Sequence, residues 1–275
     1  MLEISTFFGK QTVSSYLFFM IFAVIMAMLI SVIVLVRFNF RIKHILPIML
    51  VTTILFFAGS RMLYVITHIH YYSEKQQRVW EMKLAGFSVL GGLLLATVGC
   101  FAISKIIRID FWRLTDLFSP GLGIAIALAK IGCFLNGCCF GTRSDLPWAV
   151  HFPYDSSVHK YYLQQESEKG IFSLTSMLGS PGVHPVQLYE AMGAMIATLF
   201  AIVILIKKMS TGLASLSAAI IFIMTRLITF FFRAPIAMDE TPVWTYPLIY
   251  IILLMATILL IRMRLKCKGN TKINI

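Results

Sequence analysis

Val13-Ser-Ser-Tyr-Leu-Phe-Phe-Met-Ile-Phe-Ala-Val-Ile-Met-Ala-Met-Leu-Ile-Ser-Val-Ile-Val-Leu-Val36 runs for 24 residues without a charge, and Arg37 follows at once. A hydrocarbon core of roughly 30 Å is crossed by about 20 helical residues, so this stretch reads as a span. Six more follow, at Leu46–Thr67, Val89–Ile107, Asp116–Asn136, Gln187–Ile206, Leu213–Phe232 and Val243–Ile261. With no water in the bilayer core, each must satisfy its backbone internally and is therefore expected to be a helix. The alternation of an outer-membrane barrel is absent. The expected fold is an all-α integral membrane protein, residues 1–275 forming a single domain of seven transmembrane helices.

Composition agrees. The chain is 59% hydrophobic and 13% charged, whereas soluble globular domains are nearer half apolar and a quarter charged. A cleaved leader carries its charge before a shorter apolar core; here the core is long and the basic cluster follows it, so the first span is expected to stay.

Lysines and arginines set the orientation. The turns after spans one, three, five and seven, with the tail, hold 13 of them; the opposite side holds eight, and Arg61, Lys130 and Arg226 lie inside spans. The amino terminus is therefore expected outside and the carboxyl terminus in the cytoplasm. Ten of the twelve acidic residues also fall on the outer side. The net charge of +12 is then mostly inner-face and intramembrane charge, which anionic lipid explains without a nucleic-acid partner. The longest polar segment, residues 138–186 between spans four and five, is expected to form a small outer-side cap, with a short helix over Tyr161–Lys169. No internal repeat, nucleotide loop or low-complexity tract is present.

The three intramembrane cations are the first functional signal. Each costs about 2.5–3.5 kcal/mol to insert and needs a partner or a purpose. No carboxylate lies in the core of any span, and Asp116 and Glu190 are at span ends. One reading is snorkelling toward headgroups. The sharper expectation is a cavity where Arg226, Lys130 and Arg61 meet an anionic headgroup, since guanidinium pairs with phosphate through two parallel hydrogen bonds. Span four, with Pro120-Gly-Leu-Gly-Ile-Ala-Ile-Ala-Leu-Ala-Lys-Ile-Gly132, is rich in small residues that let helices approach closely. It reads both as tight packing and as a cavity wall.

Motif order adds a resemblance. Gly59-Ser-Arg-Met-Leu-Tyr64, Gly86-Phe-Ser-Val-Leu-Gly-Gly92, Lys130-Ile-Gly-Cys-Phe-Leu-Asn-Gly137, Asp145-Leu-Pro-Trp-Ala-Val150, His184-Pro-Val-Gln-Leu-Tyr-Glu190 and Thr225-Arg-Leu-Ile-Thr-Phe-Phe-Phe-Arg-Ala-Pro235 resemble, in order, the motifs of the prolipoprotein diacylglyceryl transferase family. Arg61, Tyr64, Gly91, Gly92, Asn136, Gly137, Gly141, Arg226 and the run from His184 to Glu190 are retained. Leu90 stands where that family has histidine, Lys130 where it has arginine and Cys133 where it has asparagine. Cys138 and Phe230 stand where it has glutamates. The pattern is that of a divergent paralogue.

The resemblance implies a multi-pass enzyme of the bacterial plasma membrane that moves a diacylglyceryl group from phosphatidylglycerol to a prolipoprotein cysteine beside its signal peptide. It implies no cofactor. Such a displacement needs a thiolate, cations on the departing phosphate and in-line alignment. Arg226 and Lys130 are the candidate cations. His184 is the candidate base, because histidine titrates near neutrality unaided; its other reading is a loop residue that fixes the outer segment. Arg61, Tyr64, Gly91, Gly92, Asn136, Gly137, Gln187, Tyr189 and Glu190 are the candidate substrate-binding residues. The alternatives are a lipid-binding or assembly protein that keeps the fold without catalysis, and a transferase for another lipid group carried on Cys138 or Cys139. Transport is disfavoured, since no paired broken helices occur in two halves.

Cys133, Cys138 and Cys139 cluster at the outer end of span four. A thiol near cations can ionise and act as a nucleophile, which makes Cys138 a catalytic candidate. A disulfide is the other reading, Cys133 with Cys138 or Cys139 being better than the strained adjacent pair. The spacing matches no usual zinc pattern, so no metal site is expected.

Overall fold

The structure, a computed structural model, describes residues 15–40, 42–67, 88–170, 179–234 and 245–266. Its elements are α1 (Ser15–Arg37), α2 (Ile42–Thr67), α3 (Val89–Ile106), α4 (Phe111–Asn136), α5 (Ser157–Glu168), α6 (Val186–Ile206), α7 (Leu213–Phe230) and α8 (Thr245–Lys266). All described elements are helices, joined by isolated β-bridges in the 141–183 region and at Arg233. Lys75, Arg78, Lys83, Gly86 and Cys267 lie outside the described residues.

Among the described residues, six helices (α1, α2, α4, α6, α7 and α8) are long and apolar enough to cross a membrane, and α3 supplies a shorter apolar stretch, Gly91–Ile106. Large side chains such as Ile25, Leu50, Leu199 and Met255 stand exposed on them, the surface a hydrocarbon solvent covers. The helix boundaries follow the apolar runs closely. Among the spans, the most displaced start is that of α4, at Phe111, five residues before the expected Asp116. Asp110 explains it: its carboxylate accepts from the Trp112 backbone N–H at 3.3 Å, satisfying one orphan donor of the first turn.

The chain forms two compact units, one of Met1–Leu29 with Ser119–Ile275, the other of Ile30–Phe118. In the smaller unit α2 packs on α3. The contact is set by Gly59 and Gly91: a Cβ on either would lie 2.4 or 2.3 Å from the other's carbonyl oxygen. Only hydrogen fits between these backbones, as small-residue helix crossings require. The Ser88 N–H donates to the Ser60 carbonyl at 2.9 Å and ties the start of α3 to the same turn of α2.

In the larger unit α6 packs on α7 and α7 on α8. The small-residue face of α4 is used for packing: Gly123 lies against Thr198, and Ala127 sits in a cluster with Ala191 and Ala194 of α6.

Residues 137–185 build the segment between α4 and α6. Its core is Phe140, Phe152, Val158, Tyr162 and Val183, joined by Ala234 from beyond α7. Each large side chain buried there contributes about 1.5–3 kcal/mol. Helix α5 begins at Ser157, four residues before the expected Tyr161, because the Ser156 hydroxyl caps it by accepting from the His159 N–H at 3.2 Å. The Tyr162 hydroxyl donates to the Gly141 carbonyl at 3.1 Å, and burial pushes its pKa up to about 12. Arg143 pairs with Glu166 at 2.6 Å and lies over the Tyr162 ring at 4.9 Å.

Candidate functional site

Helix α6 starts at Val186, with Pro185 as its N-cap, so Glu190 is its fifth residue and enters the helix bundle rather than the outer surface. Its side chain is 1% exposed. A carboxylate so buried needs charge partners, and two helices, one with its extension, provide them. Lys130 of α4 pairs with Oε2. Arg226 of α7 donates to Oε1 at 2.5 Å, and the Thr229 hydroxyl donates to the same oxygen at 3.3 Å. Arg233, just past the end of α7, stands 3.8 Å from Oε1. Arg226 turns its other terminal nitrogen to the Tyr250 hydroxyl of α8, at 3.0 Å.

This corrects the expectation that no carboxylate meets the intramembrane cations. Arg226 and Lys130 do converge, but on Glu190. Position near a span end does not fix depth: Glu190 is more than one turn inside α6, at the level where α4 and α7 carry their cations. Three cations around one carboxylate leave a surplus of two positive charges. A small pocket adjoins them, lined by Glu190, Arg226, Thr229, Phe230, Arg233 and Tyr250.

The run from His184 to Glu190 does several jobs. The His184 N–H donates to the Thr142 carbonyl at 3.0 Å and its carbonyl accepts from the Gly141 N–H at 3.1 Å, so its backbone fixes the 141–142 strand-like segment. Its ring packs on Phe232 with centroids 4.9 Å apart, and Nδ1 is 3.5 Å from the Tyr189 hydroxyl. That hydroxyl also accepts from the Trp148 indole N–H at 2.9 Å. Gln187, fully buried, donates from Nε2 to the Cys138 carbonyl at 2.7 Å. Its Oε1 has no hydrogen-bond partner among the described residues.

Asn136 ends α4, and Gly137, at φ +67°, turns the chain out of the helix. The three cysteines at this turn are free thiols, not a disulfide. Hydrogen bonds from Cys133 and Cys138, then the charges of Arg233 and Lys130, hold the Cys139 thiol well below the usual range. Cys138 lies with the other sulfurs and donates toward the Cys133 carbonyl at 3.6 Å.

Arg61 and Tyr64 lie on α2, one turn apart, and Gly91 and Gly92 on α3, all in the smaller unit. In that unit Gly91 packs against Gly59, and Gly92 against Ser60 and Phe56.

Sequence reasoning passed over three members of the cluster. Arg233 had a signal, since it follows Arg226 by seven residues, two turns along the same face. Thr229 had a weaker one at three residues. Tyr250 had none, because an aromatic in an apolar span is ordinary.

Comparison with known proteins places this geometry in a family context. The sequence profile of the family described as prolipoprotein diacylglyceryl transferase matches residues 3–267. Three similar proteins are each named phosphatidylglycerol–prolipoprotein diacylglyceryl transferase. The one from Finegoldia magna is 30% identical over 112 residues, covering 41% of this chain and 45% of its own length. That from Tropheryma whipplei (strain TW08/27) is 28% identical over 153 residues, covering 54% and 47%. That from Pasteurella multocida is 30% identical over 188 residues, covering 65% and 58%. The chain spans about half the length of the curated relatives it matches.

Proposed function

The chain belongs to the prolipoprotein diacylglyceryl transferase family, and on that premise we propose that it transfers a diacylglyceryl group from phosphatidylglycerol to a cysteine thiol of a prolipoprotein or related acceptor. The observation that carries the reading is the cation surplus around Glu190. A phosphodiester headgroup carries one negative charge; the glycerol phosphate that leaves carries up to two. Lys130, Arg226 and Arg233, less one carboxylate, complement the departing group better than the bound lipid, which is the condition for lowering a barrier rather than only binding substrate.

In the proposed reaction the acceptor sulfur attacks the glyceryl carbon next to the phosphate. A C–S bond forms, the C–O bond breaks, and glycerol phosphate leaves with the electron pair. His184 takes the thiol proton, its ring placed between Tyr189 and Phe232. Arg226 and Lys130 exchange part of their hold on Glu190 for phosphate oxygens. Asn136, Gly137, Gln187 and Tyr189 line the turn that orients the headgroup, and Arg61, Tyr64, Gly91 and Gly92 are the proposed substrate-binding residues of the smaller unit. We place the protein in the bacterial plasma membrane with seven spans, the amino terminus outside, the carboxyl terminus cytoplasmic and residues 138–186 as an outer cap.

A second reading is favoured by the same carboxylate. With Glu190 already on the cations, and with Leu90 and Phe230 where the resembled family carries histidine and glutamate, the chain would bind an anionic lipid without turning it over.

One experiment separates them. The purified protein is supplied with radiolabelled phosphatidylglycerol and a signal-peptide acceptor with one cysteine, and glycerol phosphate release is measured. Release that Arg226→Ala abolishes supports the transferase. Lipid binding with no release across several acceptors supports the binding protein, and release indifferent to Arg226→Ala removes the cations from the mechanism.

A further inference from the structure

The geometry points to a three-sulfur site for a soft metal ion, copper(I) in preference to zinc, made by Cys133, Cys138 and Cys139. The three Sγ atoms lie within 4.8 Å of one another, and among the described residues no histidine or carboxylate joins them. An all-thiolate donor set of three suits monovalent copper. Structural zinc takes four ligands, and a fourth is lacking among the described residues.

The backbone has been bent to bring these sulfurs together. Cys133 sits in the last turn of α4. Gly137 and Cys139 both adopt left-handed conformations, φ +67° and +58°, and turn the chain back on either side of Cys138. Glycine does this freely; a cysteine does it at a cost in strain that surrounding structure must hold. That holding is visible. The Cys138 N–H donates to the Cys133 carbonyl at 3.1 Å, buried Gln187 clamps the Cys138 carbonyl at 2.7 Å, and the Gly141 N–H is fixed on the His184 carbonyl. The sulfurs are half-buried, shielded yet reachable.

A disulfide is the competing use, but it engages two sulfurs and leaves one over, and adjacent Cys138 and Cys139 make a strained pair. Metal binding engages all three. Each thiol loses its proton on metallation, so three thiolates with one copper(I) carry two negative charges. The site does not depend on the transferase reading.

The test uses the full chain in detergent with Cys100→Ser and Cys267→Ser, so that only the three clustered thiols remain of the five cysteines. Under reducing, oxygen-free conditions it is titrated with copper(I) in competition with bicinchoninate. One equivalent should be held, with a thiolate-to-copper charge-transfer band in the ultraviolet. Outer-shell changes already weaken metal sites about 10–100-fold, so Cys133→Ser, Cys138→Ser or Cys139→Ser should each cost more than about 100-fold. X-ray absorption at the copper edge of the parent chain should count three sulfurs, a reading no misfolded variant can blur. Copper held no better than by the triple serine variant, fewer than three sulfurs at the metal, or an isolated chain whose disulfide leaves no copper site after reduction would each overturn the proposal.

Discussion

Arg226 reaches from α7 across to Glu190 of α6 at 2.5 Å, and the pair is the centre on which Lys130, Arg233 and Thr229 also close. It is a structural joint and a charge reservoir at once, and the two roles separate under mutation.

Removing the carboxylate tests the joint. Glu190→Gln keeps the shape but leaves three cations facing one another in a partly desolvated site. Breaking a buried pair this way costs about 3–5 kcal/mol. The midpoint of thermal unfolding in detergent should fall clearly below that of the parent chain; an unchanged midpoint would mean that Glu190 does not hold these helices.

Arg226→Lys tests the charge separately from its fork. Lysine keeps the positive charge but has one nitrogen where the planar guanidinium reaches Glu190 and Tyr250 from two. For the proposed transfer, glycerol phosphate release should drop about 10²–10³-fold, the size seen when one preorganised donor to a developing anion is lost. Full activity in Arg226→Lys would reduce Arg226 to a point charge.

Arg233→Gln should leave the fold nearly intact, because its nitrogen is 3.8 Å from Glu190 and the side chain is 26% exposed. It halves the positive surplus, however. Release at saturating lipid should fall while the unfolding midpoint moves by less than about 1 kcal/mol equivalent. A large loss of stability with unchanged turnover would make Arg233 a structural residue and leave the charge surplus without a catalytic part.

Gly91→Leu addresses the smaller unit. Even its Cβ would meet the Gly59 carbonyl at 2.3 Å, so α2 and α3 must separate. Overpacking of this kind typically costs about 1–3 kcal/mol and occasionally more, readable as faster proteolysis between these helices. Unaltered proteolysis would show that the crossing yields easily.

Apolar runs, being dictated by bilayer thickness, made the helices readable to within a few residues, and the displaced starts at Phe111 and Ser157 trace to the local caps of Asp110 and Ser156. Lys130 and Arg226 stood out because a cation in a span is costly. Glu190 was misjudged for the opposite reason: a carboxylate near a helix start looks solvated, and only the packing of α4 and α7 reveals how far in it sits. Tyr250 and the gathering of three sulfurs were harder still. They depend on which helix faces which, and on two left-handed residues whose conformation the letters Gly-Cys-Cys do not spell out.

Because Glu190 comes from the chain itself, the cations never face one another bare. On the proposed function, Glu190 is a resident placeholder for the anion: the site can stand empty between guests without its helices springing apart, and whatever arrives must compete with a tethered rival. The singly charged donor would then be held only moderately, and the departing group, with its second charge, would gain most from displacing that rival.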